Sequence, residues 1–331
     1  MTDRPPASDR TSAALPRREF LQTTALTLLG ASALPVLGCA RTDEPPRAAP
    51  PDAPLPAPGT TTVAAQPVAK LGLQLYTVRD AYKTDLAGTM KKVAALGVQA
   101  VETAFWYEGT TLQQGADAIR NAGLAVSSAH IELPVGNARK AMLDAATAYD
   151  TSRMIWHGWP EDPRYSTLEG TKALAAIYND ANRFAQDNGL TFGLHNHWWE
   201  YRNRVGGKAV YEVLLEELDP TVFFEVDTYW VKVAGYDPAA IVRQLGPRAP
   251  FLHIKDGPAV YHETLATDNP DPMTAVGKGA QDFPAIARAG TGTVEWMVVE
   301  MDKVTGDVFT ALEESVRYLT SNNFAAGKPP G

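Results

Sequence analysis

Four short apolar runs in the C-terminal half of the chain each end in side chains suited to metal binding or proton transfer. The runs are Thr-Phe-Gly-Leu-His-Asn-His (191–197), Val-Phe-Phe-Glu-Val-Asp (222–227), Phe-Leu-His-Ile-Lys-Asp (251–256) and Trp-Met-Val-Val-Glu-Met-Asp (296–302). Because side chains alternate along a β-strand, each run places two such residues on the same face. The pairs are His195 with His197, Glu225 with Asp227, His253 with Lys255, and Glu300 with Asp302. Parallel strands that end in this way predict an active site at one rim of a sheet or barrel.

Apolar patterns typical of strands and helices alternate between residues 70 and 325. Strands are predicted at 70–78, 99–106, 125–131, 153–158, 191–197, 222–229, 250–255 and 295–301. Helices are predicted at 85–96, 111–122, 137–149, 167–188, 207–218, 237–245, 282–289 and 305–321. Eight strands that alternate with eight helices over about 250 residues predict an α/β fold of the (β/α)₈ TIM barrel type, whose active site lies at the C-terminal strand ends. A doubly wound open sheet is the competing architecture, but it would gather its ligand at one switch point. Residues 326–331 are expected to form a disordered tail.

The first 40 residues have the features of an export signal. The pair Arg17 and Arg18 precedes a short apolar stretch at 24–38, which resembles a bacterial twin-arginine signal and is too short to span a membrane. The stretch ends in Val-Leu-Gly-Cys, which resembles a lipobox, so lipidation is expected at Cys39. The Pro- and Ala-rich segment 41–69 is expected to be an extended linker. These features predict an exported, periplasmic lipoprotein that contacts the membrane only through its N-terminal lipid anchor.

Charge and motif content exclude some classes of partner. A net charge of −8 argues against a nucleic-acid partner, which would require a clustered basic surface. With one cysteine in the chain, no intramolecular disulfide can form. The turn Val-Gly-Lys-Gly-Ala-Gln-Asp (276–282) is either a phosphate-binding turn or a loop that caps the following helix. Residues 257–280 are long for a loop that follows a barrel strand, which predicts a lid or rim over the site.

Several strand ends together carry a family resemblance. They are Gly-Leu-Gln-Leu-Tyr-Thr-Val-Arg-Asp (72–80), Ala-His (129–130), Leu-His-Asn-His (194–197), Val-Asp-Thr-Tyr-Trp (226–230), His-Ile-Lys-Asp (253–256), Val-Gly-Lys-Gly (276–279) and Val-Val-Glu-Met-Asp (298–302). With these motifs, residues 70–325 resemble the xylose isomerase-like TIM-barrel superfamily, also called the sugar phosphate isomerase/epimerase family. Within it, the chain looks most similar to the inosose dehydratase branch and its relatives that act on 3-keto sugars.

The resemblance implies one divalent metal ion held by His195, Asp227, His253 and Glu300. A mixed nitrogen and oxygen donor set suits Mn²⁺, Zn²⁺, Co²⁺ or Fe²⁺ better than Ca²⁺, and Mn²⁺ is the expected ion. Many members of the family have a glutamate on the fifth strand, where this chain has His195. Because that glutamate is a catalytic base in epimerases, its replacement favours dehydratase or lyase chemistry over epimerisation.

Proton transfer is expected to involve four residues near this metal site. Glu300 is the expected base, and His197 and Lys255 are expected to donate or relay protons from the inward face. Glu200, just beyond the fifth strand, is either a further ligand or base or the partner of a salt bridge at the rim. Asp302 is expected to orient neighbouring charges, as is Glu225.

Further residues are candidates for contacts with the substrate. His130 and His157 end the third and fourth strands, where contacts with sugar hydroxyl groups are expected. Trp106 and Trp230 are expected to stack on sugar faces. Together these residues predict a metal-dependent isomerase, epimerase or lyase that acts on an unphosphorylated sugar, keto sugar or 3-keto-glycoside by proton abstraction next to a carbonyl group.

Two other functions are compatible with a barrel of this type. One is a non-catalytic, surface-tethered barrel that binds carbohydrate. The other is phosphodiester cleavage of the endonuclease IV type, which the acidic net charge disfavours. Related barrels often form dimers or tetramers, so the features are compatible with a homo-oligomer.

Overall fold

The computed structural model describes residues 69–267 and 269–328. The predicted signal segment 1–40, its Cys39, and the predicted linker up to residue 68 lie outside the described residues. Within the described part of the chain, no helix is both long and apolar enough to cross a membrane.

Eight parallel strands close into a barrel. They are β1 (Ala69–Gln74), β2 (Ala100–Thr103), β3 (Ala125–Ile131), β4 (Arg153–Trp156), β5 (Thr191–His195), β6 (Phe223–Asp227), β7 (Phe251–Ile254) and β8 (Trp296–Val299). Each strand pairs with the next in the chain, and β8 closes the barrel by pairing with β1. The prediction of a (β/α)₈ TIM barrel is therefore confirmed.

Helices surround the barrel and connect its strands. They are α1 (Arg79–Thr84), α2 (Leu86–Ala95), α3 (Leu112–Asn121), α4 (Ala138–Tyr149), α5 (Leu168–Asp187), α6 (Trp199–Arg202), α7 (Val210–Glu217), α8 (Thr228–Val233), α9 (Pro238–Leu245), α10 (Phe283–Ala289) and α11 (Val308–Ser321). Short 3₁₀ helices span Leu75–Val78, Pro163–Ser166 and Gly246–Arg248, and a small hairpin joins Arg204–Val205 to Lys208–Ala209. Side-chain oxygens of Asp85, Thr111, Thr167, Asp282 and Asp307 cap the helices that follow them.

Side-chain caps also explain where two strands end earlier than predicted. The first strand stops at Gln74, because the Gln74 side chain accepts the Tyr76 N–H (3.1 Å) and starts a 3₁₀ helix. The sixth strand stops at Asp227, because its carboxylate accepts the Trp230 N–H (2.9 Å) and caps α8. At the C-terminus, the predicted disordered tail is ordered at its start, since Ala326 pairs with Lys70 of β1.

The barrel interior changes from apolar at its base to polar at its mouth. The buried side chains of Ile155, Phe223, Phe251 and Val298 form an apolar cluster, and strand alternation places all four on the inward face. Gly193 gives the Phe223 ring its space, since a Cβ atom there would overlap the ring. The next inward-facing positions along the same strands are the polar residues of the candidate site. The apolar base therefore closes the lower barrel to water and supports the polar layers above it.

Candidate active site

A cavity of about 630 Å³ opens at the C-terminal ends of the barrel strands. Its volume lies within the range of about 300–1,000 Å³ that is typical of small-molecule sites. The predicted site residues that line it are His130, His157, His195, His197, Trp230, Lys255 and Glu300. Asp302, which was expected to orient neighbouring charges, lines it too, so the structure brings eight of the predicted residues to one cavity.

Three carboxylates surround one lysine at the floor of this cavity. The Lys255 Nζ atom lies 3.0 Å from Asp227 Oδ2, 2.8 Å from Glu300 Oε2 and 2.8 Å from Asp302 Oδ2. Burial lowers the pKa of Lys255, but the three carboxylates outweigh it and raise the pKa well above its usual range. Lys255 is therefore an ammonium group. If all three carboxylates are ionised, Lys255 and these carboxylates together carry a net charge of −2, which a divalent cation would balance.

Burial and charge give these carboxylates different proton affinities. Burial raises the pKa of Glu300, but Lys255 and His253 outweigh it and lower the pKa below its ordinary value. Burial raises the pKa of Asp227 and raises that of Asp302 to about 6, against the opposing charge of Lys255. Glu300 is thus the carboxylate that Lys255 and His253 hold most firmly in its ionised form.

Three buried atoms converge in a way that fits a metal ion. His253 Nδ1, Asp227 Oδ2 and Glu300 Oε2 all lie within 4.8 Å of one another, with His253 Nδ1 2.7 Å from Glu300 Oε2 and 3.9 Å from Asp227 Oδ2. None of the three makes a hydrogen bond of good geometry among the described residues, although His253 Nδ1 and Lys255 Nζ both lie within ion-pair distance of Glu300 Oε2. Buried polar atoms without partners are costly, and one nitrogen with two oxygens suits a divalent transition metal. The residues therefore fit the expected ion.

His195, the fourth predicted ligand, lies between this group and a deeper one. Its Nε2 atom is 3.9 Å from Asp227 Oδ2, whereas its Nδ1 atom is 3.3 Å from Glu225 Oε2. Ligand atoms of His195 group with those of His130, Glu225 and His253. Burial, followed by the charges of His253 and His197, lowers the pKa of His195 well below its usual value, so the imidazole is neutral.

A buried carboxylate layer beneath the site orients His253. The His253 Nε2 atom lies 2.7 Å from Glu102 Oε1 and 3.2 Å from Glu225 Oε1, so both carboxylates favour a proton on Nε2. The Gln74 side chain donates to Glu102 Oε1 (2.7 Å) and holds that carboxylate in place. Burial lowers the pKa of His253, but Glu225, Glu300 and Glu102 outweigh it and raise the pKa well above its usual value. A metal ion bound at Nδ1 would therefore replace the proton that faces Glu300, while Glu102 and Glu225 hold the proton on Nε2.

His130 joins the same layer from β3. Its Nε2 atom lies 2.7 Å from Glu225 Oε2 and 3.0 Å from Glu102 Oε1. Burial lowers the pKa of His130, but these two carboxylates outweigh it and raise the pKa to about 10. His130 is thus a cation between two carboxyl groups at the edge of the cavity. Burial raises the pKa of both, but His130 and His253 outweigh it at Glu102 and lower that pKa well below its usual value, whereas the pKa of Glu225 stays raised. Glu102 was missed from the sequence because it lies in the middle of the predicted strand 99–106, whereas the observed strand ends at Thr103.

His197 lies in the aromatic part of the cavity wall. Its ring stacks on Trp199 at 4.2 Å with an interplanar angle of 15°, and its Nδ1 atom is buried without a hydrogen-bond partner among the described residues. Burial, followed by the nearby Lys255 charge, lowers the pKa of His197 well below its usual value. His197 is therefore a neutral imidazole with a free nitrogen. Trp230 also lines the cavity, but its side chain is buried.

The predicted ligands Asp227 and His253 are fully buried and do not line the cavity, and neither do Glu200 and Trp106. The Glu200 carboxylate accepts the His197 N–H (2.9 Å) and lies with Tyr165 and Tyr178 around a separate small cavity. Burial raises the Glu200 pKa to about 8. Trp106 points toward the helix layer, where its Nε1 atom donates to Tyr149 Oη (2.7 Å). Glu200 therefore holds the backbone of His197 rather than lining the cavity, and Trp106 packs against Tyr149 of α4.

The candidate phosphate turn is already occupied by a side chain of the protein. The buried Asp256 carboxylate accepts backbone N–H groups from Gly257 (2.9 Å), Gly277 (2.9 Å), Gly279 (2.8 Å) and Gln281 (3.2 Å). Because these donors point at Asp256, they do not form a cradle for a phosphate group. The turn instead ties the loop after β7 to the barrel.

Aromatic and basic residues at the mouth were also missed from the sequence. Tyr76, Arg79, Phe105 and Tyr107 line the cavity. Arg79 lies over the Tyr76 ring at 3.9 Å and donates to the Asp302 carbonyl oxygen (2.7 Å). The signal for these residues was their position just after β1 and β2, where side chains face the mouth of a barrel.

The fold and the site define a TIM barrel with a candidate metal centre at the C-terminal ends of its strands. The chain belongs to the xylose isomerase-like TIM barrel family, whose model matches residues 90–322. No curated protein sequence matches the chain.

Solved structures share this fold at low sequence identity. A sugar phosphate isomerase/epimerase from Parabacteroides distasonis is 23% identical, with a TM-score of 0.62 over 82% of this chain and 100% of its own. A 3-keto-D-glucoside 4-epimerase from E. coli is 16% identical, with a TM-score of 0.52 over 76% of this chain and 99% of its own. The IOLI protein, with a bound zinc atom, is 13% identical, with a TM-score of 0.57 over 77% of this chain and 98% of its own. At these identities, the comparisons show the fold alone.

Proposed function

We propose that the protein is a divalent-metal-dependent enzyme that removes a proton next to the carbonyl group of an unphosphorylated sugar, keto sugar or 3-keto-glycoside. The observation that carries this proposal is the convergence of His253 Nδ1, Asp227 Oδ2 and Glu300 Oε2 beside the Lys255 ammonium group. A divalent ion bound by these residues would polarise a carbonyl oxygen and stabilise the enediolate that forms when the adjacent carbon loses its proton.

The chain supplies both a proton donor and a proton acceptor around this point. Lys255 Nζ, within 3.0 Å of the carboxylates, can donate to the negative charge that develops on the carbonyl oxygen. His197 lines the cavity and is a neutral imidazole whose Nδ1 atom has no hydrogen-bond partner among the described residues, so it can accept the proton from carbon. The Glu300 carboxylate, whose pKa is lowered, would serve as a metal ligand. The apolar base lies beneath these groups, and the cavity beside them opens at the C-terminal ends of the strands.

The proposed substrate carries no phosphate group. The backbone donors of residues 277–281 are engaged by Asp256, and export through the proposed twin-arginine signal would place the mature protein where free sugars and glycosides are found. We further propose that a lipid on Cys39 anchors it there. Within this chemistry we favour elimination over epimerisation, because His195 stands where epimerases of this family have a glutamate base.

Solvent deuterium exchange tests the proposal. The Mn²⁺-loaded protein would be incubated in D₂O with methyl 3-keto-β-D-glucopyranoside and with fructose, and the products followed by NMR. Deuterium at the carbon next to the carbonyl, with or without release of methanol, supports the proposal, and released methanol identifies the lyase. The His197→Gln variant should lose at least about 100-fold in rate. The matched control, His262→Gln, alters an exposed histidine paired with Asp271 and should retain the wild-type rate. Absence of both exchange and elimination with either sugar would contradict the proposal.

A further inference from the structure

Two large aromatic side chains are exposed at the mouth of the cavity. Phe105 and Trp159 expose 44% and 48% of their surface, and both line the cavity. Single exposed apolar side chains are common, but apolar surface gathered at one place often marks a ligand-binding groove. Two other large apolar residues exposed on loops of the same face, Val135 and Val260, are not among the cavity-lining residues. The exposed aromatic surface is thus concentrated at the candidate site.

Contacts with neighbouring side chains hold these rings in position. The Trp159 Nε1 atom donates to Thr267 Oγ1 (2.7 Å), which joins the loop after β4 to the loop after β7 across the mouth. Phe105 makes edge-to-face contacts with Tyr76 (6.0 Å) and Tyr107 (5.2 Å). The rim therefore presents preformed aromatic surface rather than loosely attached side chains, and little conformational entropy would be lost when a ligand binds.

The polar and aromatic groups occupy different depths of the cavity. The charged groups of Lys255 and Glu300 are buried at its floor, whereas Phe105 and Trp159 are exposed at its rim. A volume of about 630 Å³ suits drug-sized ligands, which are larger than a single hexose. A sugar ring at the floor would therefore leave the aromatic rim uncovered.

We propose that the aromatic rim formed by Phe105 and Trp159 binds a second ring of the substrate, so that the protein acts on a glycoside rather than on a free monosaccharide. This inference rests on the proposed function, which places the reacting sugar ring at the floor. The second ring must present a flat apolar face that can stack on an aromatic side chain. Both an aryl group and another sugar have such a face, and the experiment distinguishes them.

Equilibrium binding of unoxidised glucosides tests this proposal without turnover, because these compounds lack the reactive keto group. Isothermal titration calorimetry of the Mn²⁺-loaded protein would compare methyl β-D-glucopyranoside, phenyl β-D-glucopyranoside and cellobiose. We expect phenyl glucoside, cellobiose or both to bind about 2- to 10-fold more tightly than the methyl glucoside, which is the size of effect that stacking interactions provide. A preference for one of the two ligands identifies the second ring as aryl or sugar.

Variants assign that preference to the rim. The selectivity ratio is the dissociation constant of the methyl glucoside divided by that of phenyl glucoside or cellobiose. Trp159→Ala and Phe105→Ala should each reduce this ratio toward one. The controls Val135→Ala and Val260→Ala, on loops of the same face, should keep the wild-type ratio, and circular dichroism would verify that each variant is folded. Equal affinities of the wild type for all three ligands would overturn the second-ring site, and so would a ratio that is unchanged in both aromatic variants. The proposed function would still be tested separately by the exchange experiment. If none of the three binds and no exchange occurs, both proposals are overturned.

Discussion

Replacing Glu200 by Gln separates a structural role of this residue from the catalytic role that its sequence position suggested. Glu200 is buried, and burial raises its pKa from 4.5 to about 8. The folded protein therefore keeps the Glu200 proton between pH 4.5 and about 8, whereas the unfolded chain releases it. Since the folded state binds more protons in this window, this carboxyl group makes the protein less stable as the pH rises from 4.5 to about 8, and has no further effect above that.

The magnitude follows from the pKa change. Each pKa unit corresponds to about 1.4 kcal/mol, so between pH 5 and pH 8.5 the wild-type protein should lose about 4 kcal/mol of stability through Glu200 alone. Glutamine has no titrating proton and its side-chain oxygen can still accept the His197 N–H bond. The free energy of unfolding of Glu200→Gln should therefore rise relative to that of the wild type by about this amount over the same pH range.

Urea unfolding at pH 5 and pH 8.5, followed by tryptophan fluorescence, measures this difference. The control Glu108→Gln removes an exposed carboxylate and should follow the wild type at both pH values. Because Glu200 lies outside the cavity, Glu200→Gln should also keep its rate of deuterium exchange. Parallel stabilities of wild type and Glu200→Gln across this range would refute the burial argument, and loss of exchange activity in a folded variant would return Glu200 to the catalytic site.

Two further substitutions test the groups that support the site and its rim. Glu102→Gln removes the carboxylate that holds the His253 Nε2 proton and should weaken Mn²⁺ binding by about 10- to 100-fold. Calorimetry measures this affinity, and the control Glu132→Gln, at the exposed edge of the cavity, should bind Mn²⁺ as tightly as the wild type. Asp256→Ala leaves backbone N–H groups of the loop after β7 without their acceptor and should lower the free energy of unfolding by about 1–3 kcal/mol. An unaltered urea midpoint and slope for Asp256→Ala would show that water replaces this carboxylate without cost.

Strand alternation made most of the barrel predictable from the sequence. Alternation along β7 places Phe251, His253 and Lys255 on the same inward face, with Phe251 in the apolar base. One sequence pattern therefore predicts both the core and the site. The strand ends were less predictable, because they depend on local hydrogen bonds. Asp227 looked like a residue within a longer strand, yet its side chain caps α8.

The direction of a side chain beyond the end of a strand could not be inferred from alternation. Glu200 lies on the one-turn helix α6, where the strand period no longer applies, and it turns toward Tyr165 and Tyr178. Trp106 likewise follows β2 without continuing its alternation and packs among the helices. Long-range partners were also hidden, since the contact of Glu102 with His253 joins residues that are 151 positions apart.

Anomalous X-ray diffraction from crystals of the Mn²⁺-loaded protein would test the central claim most directly. The proposal predicts one Mn²⁺ ion with His253 Nδ1 and a carboxylate oxygen of both Asp227 and Glu300 in its coordination shell, at roughly the 2.0–2.2 Å typical of nitrogen and oxygen ligands to such metals. Lys255 should remain beside Glu300 without touching the ion. An ion bound only in the deeper layer of His130 and Glu225, or no ordered ion at saturating Mn²⁺, would contradict the proposed metal centre.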